Sequence, residues 1–149
     1  MSSNAAMPPE VRQFIGRARV GHLATADAEG QPSVVPICFV HRRSQLFSLI
    51  DNKPKKTEGH RLKRVRNLLV NPQASVVIDR WDEDWSRIGW VLLRGRAEIL
   101  ESCPGRVLQL FREKYPQYRE MSLDGQPTIR LDITSYRAWG HLSISPFAE

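Results

Sequence analysis

The chain has 149 residues, 41% of them hydrophobic and 26% charged, and its 22 Lys and Arg outnumber its 16 Asp and Glu for a net charge of +6. That length suits one domain able to bury a core without a disulfide or metal staple, and no apolar run approaches the roughly 18 residues of a membrane span. The two cysteines, Cys38 and Cys103, lack the close Cys or His spacing of a zinc site and are expected to be reduced and structural. His22, His41, His60 and His141 lie too far apart for a local metal motif, so no metal is expected. The N-terminus shows neither a charged n-region nor an apolar h-region, which makes a cytoplasmic location the expectation.

Pro8-Pro9-Glu10, followed by Val11, Phe14, Ile15 and Ala18, predicts a short amphipathic helix with Pro near its first turn. Val20–Ala26 and Pro32–Val40, joined by a turn at Asp27–Gln31, read as a hairpin, with Pro36 marking an edge or a bulge. After a turn at His41–Ser44, Gln45–Ile50 reads as a third strand. Leu62, Val65 and Leu69 then have the spacing of a buried helical stripe, and Asn71-Pro72 stops that helix. Ala74–Asp79 reads as a fourth strand and Trp90–Leu100 as a fifth that bends at Gly95, with the Trp-rich loop Arg80–Gly89 between them. Ser102 and Pro104 open a further helix that Tyr115-Pro116 ends. Thr128–Thr134 alternates cleanly, and Arg137–Leu142 reads as a closing strand. Six or seven short strands with helices only at connections argue for a small closed antiparallel barrel rather than a doubly wound sheet. Residues 1–149 read as a single domain, with the N-terminal helix in 1–19 and the barrel in 20–142.

Charge is concentrated in one place. Lys53 to Arg66 hold seven Lys and Arg against the single acid Glu58, which is +6 and equals the net charge of the whole chain. The segment begins where the third strand ends and runs into a helix start, where several basic side chains and backbone amides together suit a phosphate group. Lys53, Lys55, Arg61, Lys63 or Arg64, and one turn later Asn67, are the candidate donors; Lys56 and Arg66 are expected to be solvated. The bland alternative is a solvated basic loop. Trp81, Trp85 and Trp90 cluster within ten residues beside acids; exposed tryptophans anchor interfaces or flat ligands, and core packing is the rival reading for Trp90. Trp139 reads as structural or interfacial.

Neither a nucleophile elbow nor a paired-carboxylate signature is present, and no histidine stands beside a candidate nucleophile, so no catalytic residue is assigned. A bound redox cofactor needs no such constellation, because the cofactor carries the reactive atom. Nucleic-acid binding competes on the strength of a pI near 9.8. Confinement of the charge to one short segment and the acidity of the Trp-rich loop argue against it.

Arg19-Val-Gly-His-Leu-Ala-Thr-Ala26, Gly30-Gln-Pro32, Val35-Pro-Ile-Cys-Phe39, Lys63-Arg-Val-Arg-Asn-Leu68 and Asn71-Pro72, in that order, resemble the pyridoxamine 5'-phosphate oxidase-like split-barrel superfamily over roughly residues 11–142. Ile50–Lys55 and Trp81–Trp85 look most like its probable coenzyme F420-dependent oxidoreductases. The resemblance implies a six- to seven-stranded antiparallel split β-barrel with short connecting helices. It also implies a homodimer holding cofactor in the grooves between subunits, and hydride transfer between the deazaflavin and a small organic substrate. Carried onto this chain, it puts Lys53, Lys55, Arg61, Lys63, Arg64 and Asn67 near the cofactor phosphate. Pro36, Ile50 and Asp51 would stand beside the ring and ribityl chain, with Trp85 or Trp90 supplied by the partner subunit. Ile50-Asp51-Asn52 depart from relatives that carry small residues after the third strand.

FMN shares the ribityl-phosphate portion, so an FMN-dependent oxidoreductase of the same fold is the alternative, as is a non-catalytic F420-binding or storage protein. The acidic tail of F420 would employ more positive charge than FMN needs, which favours F420. Heme, through His41, His60 or His141, is less favoured because nothing marks an axial ligand. Neither nucleic acid nor membrane is an expected partner.

Overall fold

A computed structural model of the chain describes residues 2–3, 7–50 and 62–143. In chain order the elements are β1 (Ser2–Ser3), α1 (Pro9–Arg17), β2 (Gly21–Ala26), β3 (Pro32–Ile37), β4 (Val40–Arg42), β5 (Gln45–Leu49), α2 (Lys63–Val70), β6 (Gln73–Arg80), β7 (Gly89–Leu100), α3 (Gly105–Lys114) and β8 (Thr128–Gly140). The strands form one curled antiparallel sheet in the order β3-β2-β6-β7-β8-β5-β4, with β1 added on β8. This is a mainly β split-barrel architecture with three short helices. Among the described residues no helix is long and apolar enough to cross a membrane.

The sheet does not close by hydrogen bonds. Its free edges are β3 and β4, which follow one another in the chain through Cys38 and Phe39 alone, so covalent connection stands where a ladder would be. The apolar run Pro32–Val40 is therefore two strands rather than the one its composition suggests. Pro36 is tolerated because β3 is an edge, where a missing N–H leaves no ladder bond unmade. At Phe39 the backbone changes partners: its N–H donates to Tyr115 Oη at 3.0 Å, and Val40 then pairs with Phe47 on β5.

Alternation along β2 puts Leu23 and Thr25 inside and His22, Ala24 and Ala26 outside. Val76 and Ile78 of β6, Val91 and Leu93 of β7, and Leu131 and Ile133 of β8 complete the interior, which α1 plugs with Val11, Phe14 and Ile15. A second cluster, centred on Phe111 of α3, packs against Phe47 and Leu49. Leu46 faces the first core and Phe47 the second, so β5 is buried on both sides and reads as a continuous apolar run.

At Gly95, where a bend of the strand is expected, the ladder is irregular. The register of β7 against β8 slips between Arg94 and Gly95, leaving Thr134 as the extra residue on β8, where its Oγ1 donates to Arg94 O at 3.2 Å. A Cβ on Gly95 would stand 1.9 Å from Asp132 O, which explains the absence of a side chain there.

Three further expectations change. Thr128–Thr134 and the first part of Arg137–Leu142 belong to one long strand, β8, which carries that bulge and ends at Gly140. Pro104, not Ser102, occupies the N-cap of α3, and no side chain bonds its first turn. On α2 the buried positions are Val65, Asn67 and Leu68, while Leu69 is 67% exposed. The helix is rotated relative to the Leu62-Val65-Leu69 stripe because a polar residue, Asn67, is drawn inward by a partner on β2.

Candidate functional site

α2 stands at the turn end of the β2–β3 hairpin. Its N-cap is Leu62, which offers no side-chain acceptor, and its first turn contains no acid. The positive end of the helix dipole is thus joined by Lys63 and Arg64, a combination that attracts anions. Asn67 ties this end in place: buried at 1% exposure, it donates from Nδ2 to Thr25 Oγ1 at 3.0 Å.

The hairpin turn faces the same helix. Asp27 accepts from the backbone N–H groups of Glu29 and Gln31, both at 2.9 Å, and its carboxylate lies 3.8 Å from Lys63 Nζ. Its pKa is lowered, chiefly by the Gln31 N–H against the opposing effect of burial, with the Glu29 N–H and then Lys63 adding smaller contributions. The carboxylate therefore stays ionised and orients Lys63 without occupying all three of its donors.

Beside the turn, a groove of about 730 Å³ crosses the outer face of the sheet. Ala24, Ala26 and Pro32 line one side, and Arg94, Arg96 and Ser75 line the other. Sequence reasoning passed over both arginines. Their signal was Arg-Gly-Arg in a strand, where i and i+2 side chains share a face. Farther along that face, His22 Nδ1 lies 3.8 Å from Asp79 Oδ1, and Trp90 and Trp139 stack with centroids 6.4 Å apart.

Of the residues singled out from sequence, Asp51, Lys53, Lys55 and Arg61 lie outside the described residues, as does His60. Lys63 and Arg64 lie in the first turn of α2. Asn67 does not project from an outer face of that helix; its buried amide joins helix to strand. Ile50 belongs to the main core at 1% exposure and donates its N–H to Pro127 O, so its side chain offers no surface for a ring. Pro36 is exposed on the outer side of β3, near the end of the hairpin opposite the turn. Trp85 sits in a short 3-10 turn and is 72% exposed, whereas Trp90 is half-buried against Trp139. The acids of that loop shape it: Asp84 accepts from Ser86 N and Oγ at 3.1 and 2.7 Å, and Asp82 from Asp84 N at 2.8 Å.

The pyridoxamine 5'-phosphate oxidase family model matches residues 7–140. The chain belongs to that family. Among curated proteins, heme oxygenase HutZ of Vibrio cholerae is 35% identical over 72 residues, a stretch that covers 48% of this chain and 36% of HutZ. The crystal structure of HutZ, described as a heme storage protein, superposes with a TM-score of 0.66 at 22% identity, covering 89% of this chain and 92% of that one. A conserved hypothetical protein of Mycobacterium tuberculosis gives 0.72 at 20% identity, covering 99% and 98%. A structure named F420 reductase gives 0.65 at 18% identity, covering 88% and 98%. At these identities the structural likenesses establish the family's fold, whose neighbours range from an F420 reductase to heme proteins.

The donor set suits a ribityl-phosphate cofactor: an uncapped helix start, two cations and a neighbouring polar groove. One of the histidines considered for heme is closed off. The Nε2 of His41 is buried without a hydrogen-bond partner among the described residues, and burial foremost lowers the pKa of the ring. A ring nitrogen sealed in this way is not open to an iron. Among the described residues no group of three or more His, Cys, Asp or Glu could hold a metal ion.

Proposed function

We propose that the protein is an oxidoreductase using the deazaflavin coenzyme F420 for hydride transfer to or from a small organic substrate. The observation that carries this reading is the basic, uncapped start of α2, with Lys63 and Arg64 beside the β2–β3 turn, in a member of the pyridoxamine 5'-phosphate oxidase family. Lys63 and Arg64 would hold the phosphate, and Asn67 keeps the helix in register with the strand that carries the groove. The deazaflavin would supply the hydride chemistry when bound. Arg94 and Arg96 are well placed for further negative charge, such as the acidic tail that distinguishes F420 from FMN.

The working unit in this reading is a homodimer. Val34 and Trp139 lie on the outer sheet face at 63% and 54% exposure, and Leu69 and Val70 of α2 are equally open. Apolar side chains at this density are suited to burial against a second copy, which would also shield a bound ring from water. Titration of the purified protein with F420, FMN and heme, followed by fluorescence and absorbance, tests the assignment. Saturable F420 binding that is tighter than FMN binding supports it. FMN as the only ligand selects the FMN-dependent enzyme of the same fold, and firm F420 binding without turnover on a substrate panel selects a storage protein. The local similarity to HutZ favours a second reading, heme binding, and a Soret band on reconstitution would establish it in place of the first.

A further inference from the structure

The seam between β3 and β4 is filled by side chains rather than by a ladder. Tyr115 Oη accepts from Phe39 N and donates to Arg19 O at 2.9 Å, and Lys114 Nζ donates to Phe39 O at 2.9 Å while lying 3.8 Å from the Phe39 ring centroid. Three connections, those after α1, after β3 and after α3, are thereby knotted at one point. Beside the knot is a cavity of about 520 Å³, walled by Val20, Cys38, Tyr115, Tyr118 and Met121, with Arg19 among its lining residues. That volume falls within the range of small-molecule sites.

The charge of the cavity is one-sided. Among the described residues its lining contains no carboxylate, while Arg19 lines it and Lys114 lies behind it. The Arg19 guanidinium is 5.8 Å from the Tyr115 ring centroid and donates through Nη1 to Lys114 O, which anchors it and leaves its other N–H groups for a further acceptor. Val20, an aliphatic side chain of the lining, is 46% exposed. The site is also separate from the anion site at α2. The hairpin turn and the seam lie at opposite ends of the six paired rungs of β2 and β3, about 17 Å apart along an extended strand.

We propose that this seam pocket is a ligand site of its own, taking a small apolar carboxylic acid whose carboxylate meets Arg19 and whose hydrocarbon body lies against Val20, Tyr115 and Met121. Decanoate is the probe, and Cys38 the built-in reporter. In the full chain, decanoate should bind saturably at one per protomer. It should slow alkylation of Cys38 by iodoacetamide at least tenfold and leave Cys103, also half-buried but outside the pocket, unaffected. Decanol, with the same body and no charge, should bind about tenfold more weakly, and Arg19→Gln should abolish the difference between the two, as loss of one charged hydrogen bond requires. Non-saturable binding, equal protection of both cysteines, or equal affinity for decanoate and decanol in the unaltered protein would overturn the proposal. So would displacement of decanoate by F420 or FMN, which would assign it to the cofactor groove. The decanoate and decanol comparison needs no variant and decides the matter even if Arg19→Gln fails to fold.

Discussion

Asn67 of α2 and Thr25 of β2, 42 residues apart in sequence, share a 3.0 Å side-chain hydrogen bond with both residues buried. The bond holds the basic start of α2 against the strand pair that forms the floor of the groove. Replacing Asn67 by Leu leaves the Thr25 hydroxyl without this partner in a dry site, which costs about 1–3 kcal/mol. Urea unfolding of Asn67→Leu, Thr25→Val and the double variant should show non-additive penalties, the double variant being less destabilised than the sum. Additive penalties would show that the two side chains act independently.

Lys63 stands at the first turn of α2, held near Asp27 but half exposed. If it bonds the cofactor phosphate, Lys63→Ala removes a charged hydrogen bond of about 1.5–3 kcal/mol, so the F420 dissociation constant rises roughly ten- to hundredfold. Arg106→Ala, which removes the same charge from α3, should leave the titration unchanged. Equal affinity for the unaltered protein and Lys63→Ala would move the phosphate site away from this helix.

At the bulge between β7 and β8, Gly95 has no room for a side chain, with Asp132 O 1.9 Å from where a Cβ would be. Gly95→Ala must push the strands apart, an overpacking penalty of about 1–3 kcal/mol or somewhat more. A melting temperature lowered by several degrees is expected, with Arg94 and Arg96 displaced and F420 affinity reduced alongside. An unaltered melting temperature would mean that the bulge relaxes freely.

The seam gives stability a specific dependence on pH. Burial first, and then the charge of Arg19, lower the Lys114 pKa from 10.5 to about 8. Between those values the unfolded chain binds the proton that the folded chain has released, so this group makes stability rise with pH from about 8 to 10.5. Burial raises the Tyr115 pKa from 10.0 to about 12, so from pH 10 upward the folded chain retains a proton that the unfolded chain has lost, and stability falls. Denaturation midpoints measured from pH 7.5 to 10 should climb in the unaltered protein and climb less in Lys114→Met. Parallel profiles for the two would remove Lys114 as the cause.

Much of the fold was legible in individual residues. Pro36 marked an edge strand because it lacks a donor, Gly95 marked an irregularity in the ladder because nothing larger fits, and Tyr115-Pro116 ended a helix because the residue before proline avoids helical backbone. Leu69 misled, since apolar spacing alone does not register that Asn67 has a partner waiting on β2. The apolar stretch Pro32–Val40 misled for a similar reason: both halves are strand-forming, and only the Tyr115 hydroxyl and the pairing of Val40 with Phe47 divide them. In the candidate site, the placement of Lys63 and Arg64 at a helix start could be read from charge and helix phase, and the Arg94-Gly95-Arg96 spacing puts two arginines on one face of a strand, whereas the approach of Asp27 to Lys63 could not be read, because nothing local to either signals that contact.

Strand periodicity, helix limits and the concentration of charge between Lys53 and Arg66 are properties of neighbouring residues, and the sequence by itself determined them. Where Lys63 and Arg64 stand was decided by Asn67 meeting Thr25, and where the sheet stays open was decided by β3 and β4 finding different partners. Those outcomes depend on register between segments tens of residues apart. Burial and hydrogen bonding select that register only once the whole sheet has assembled.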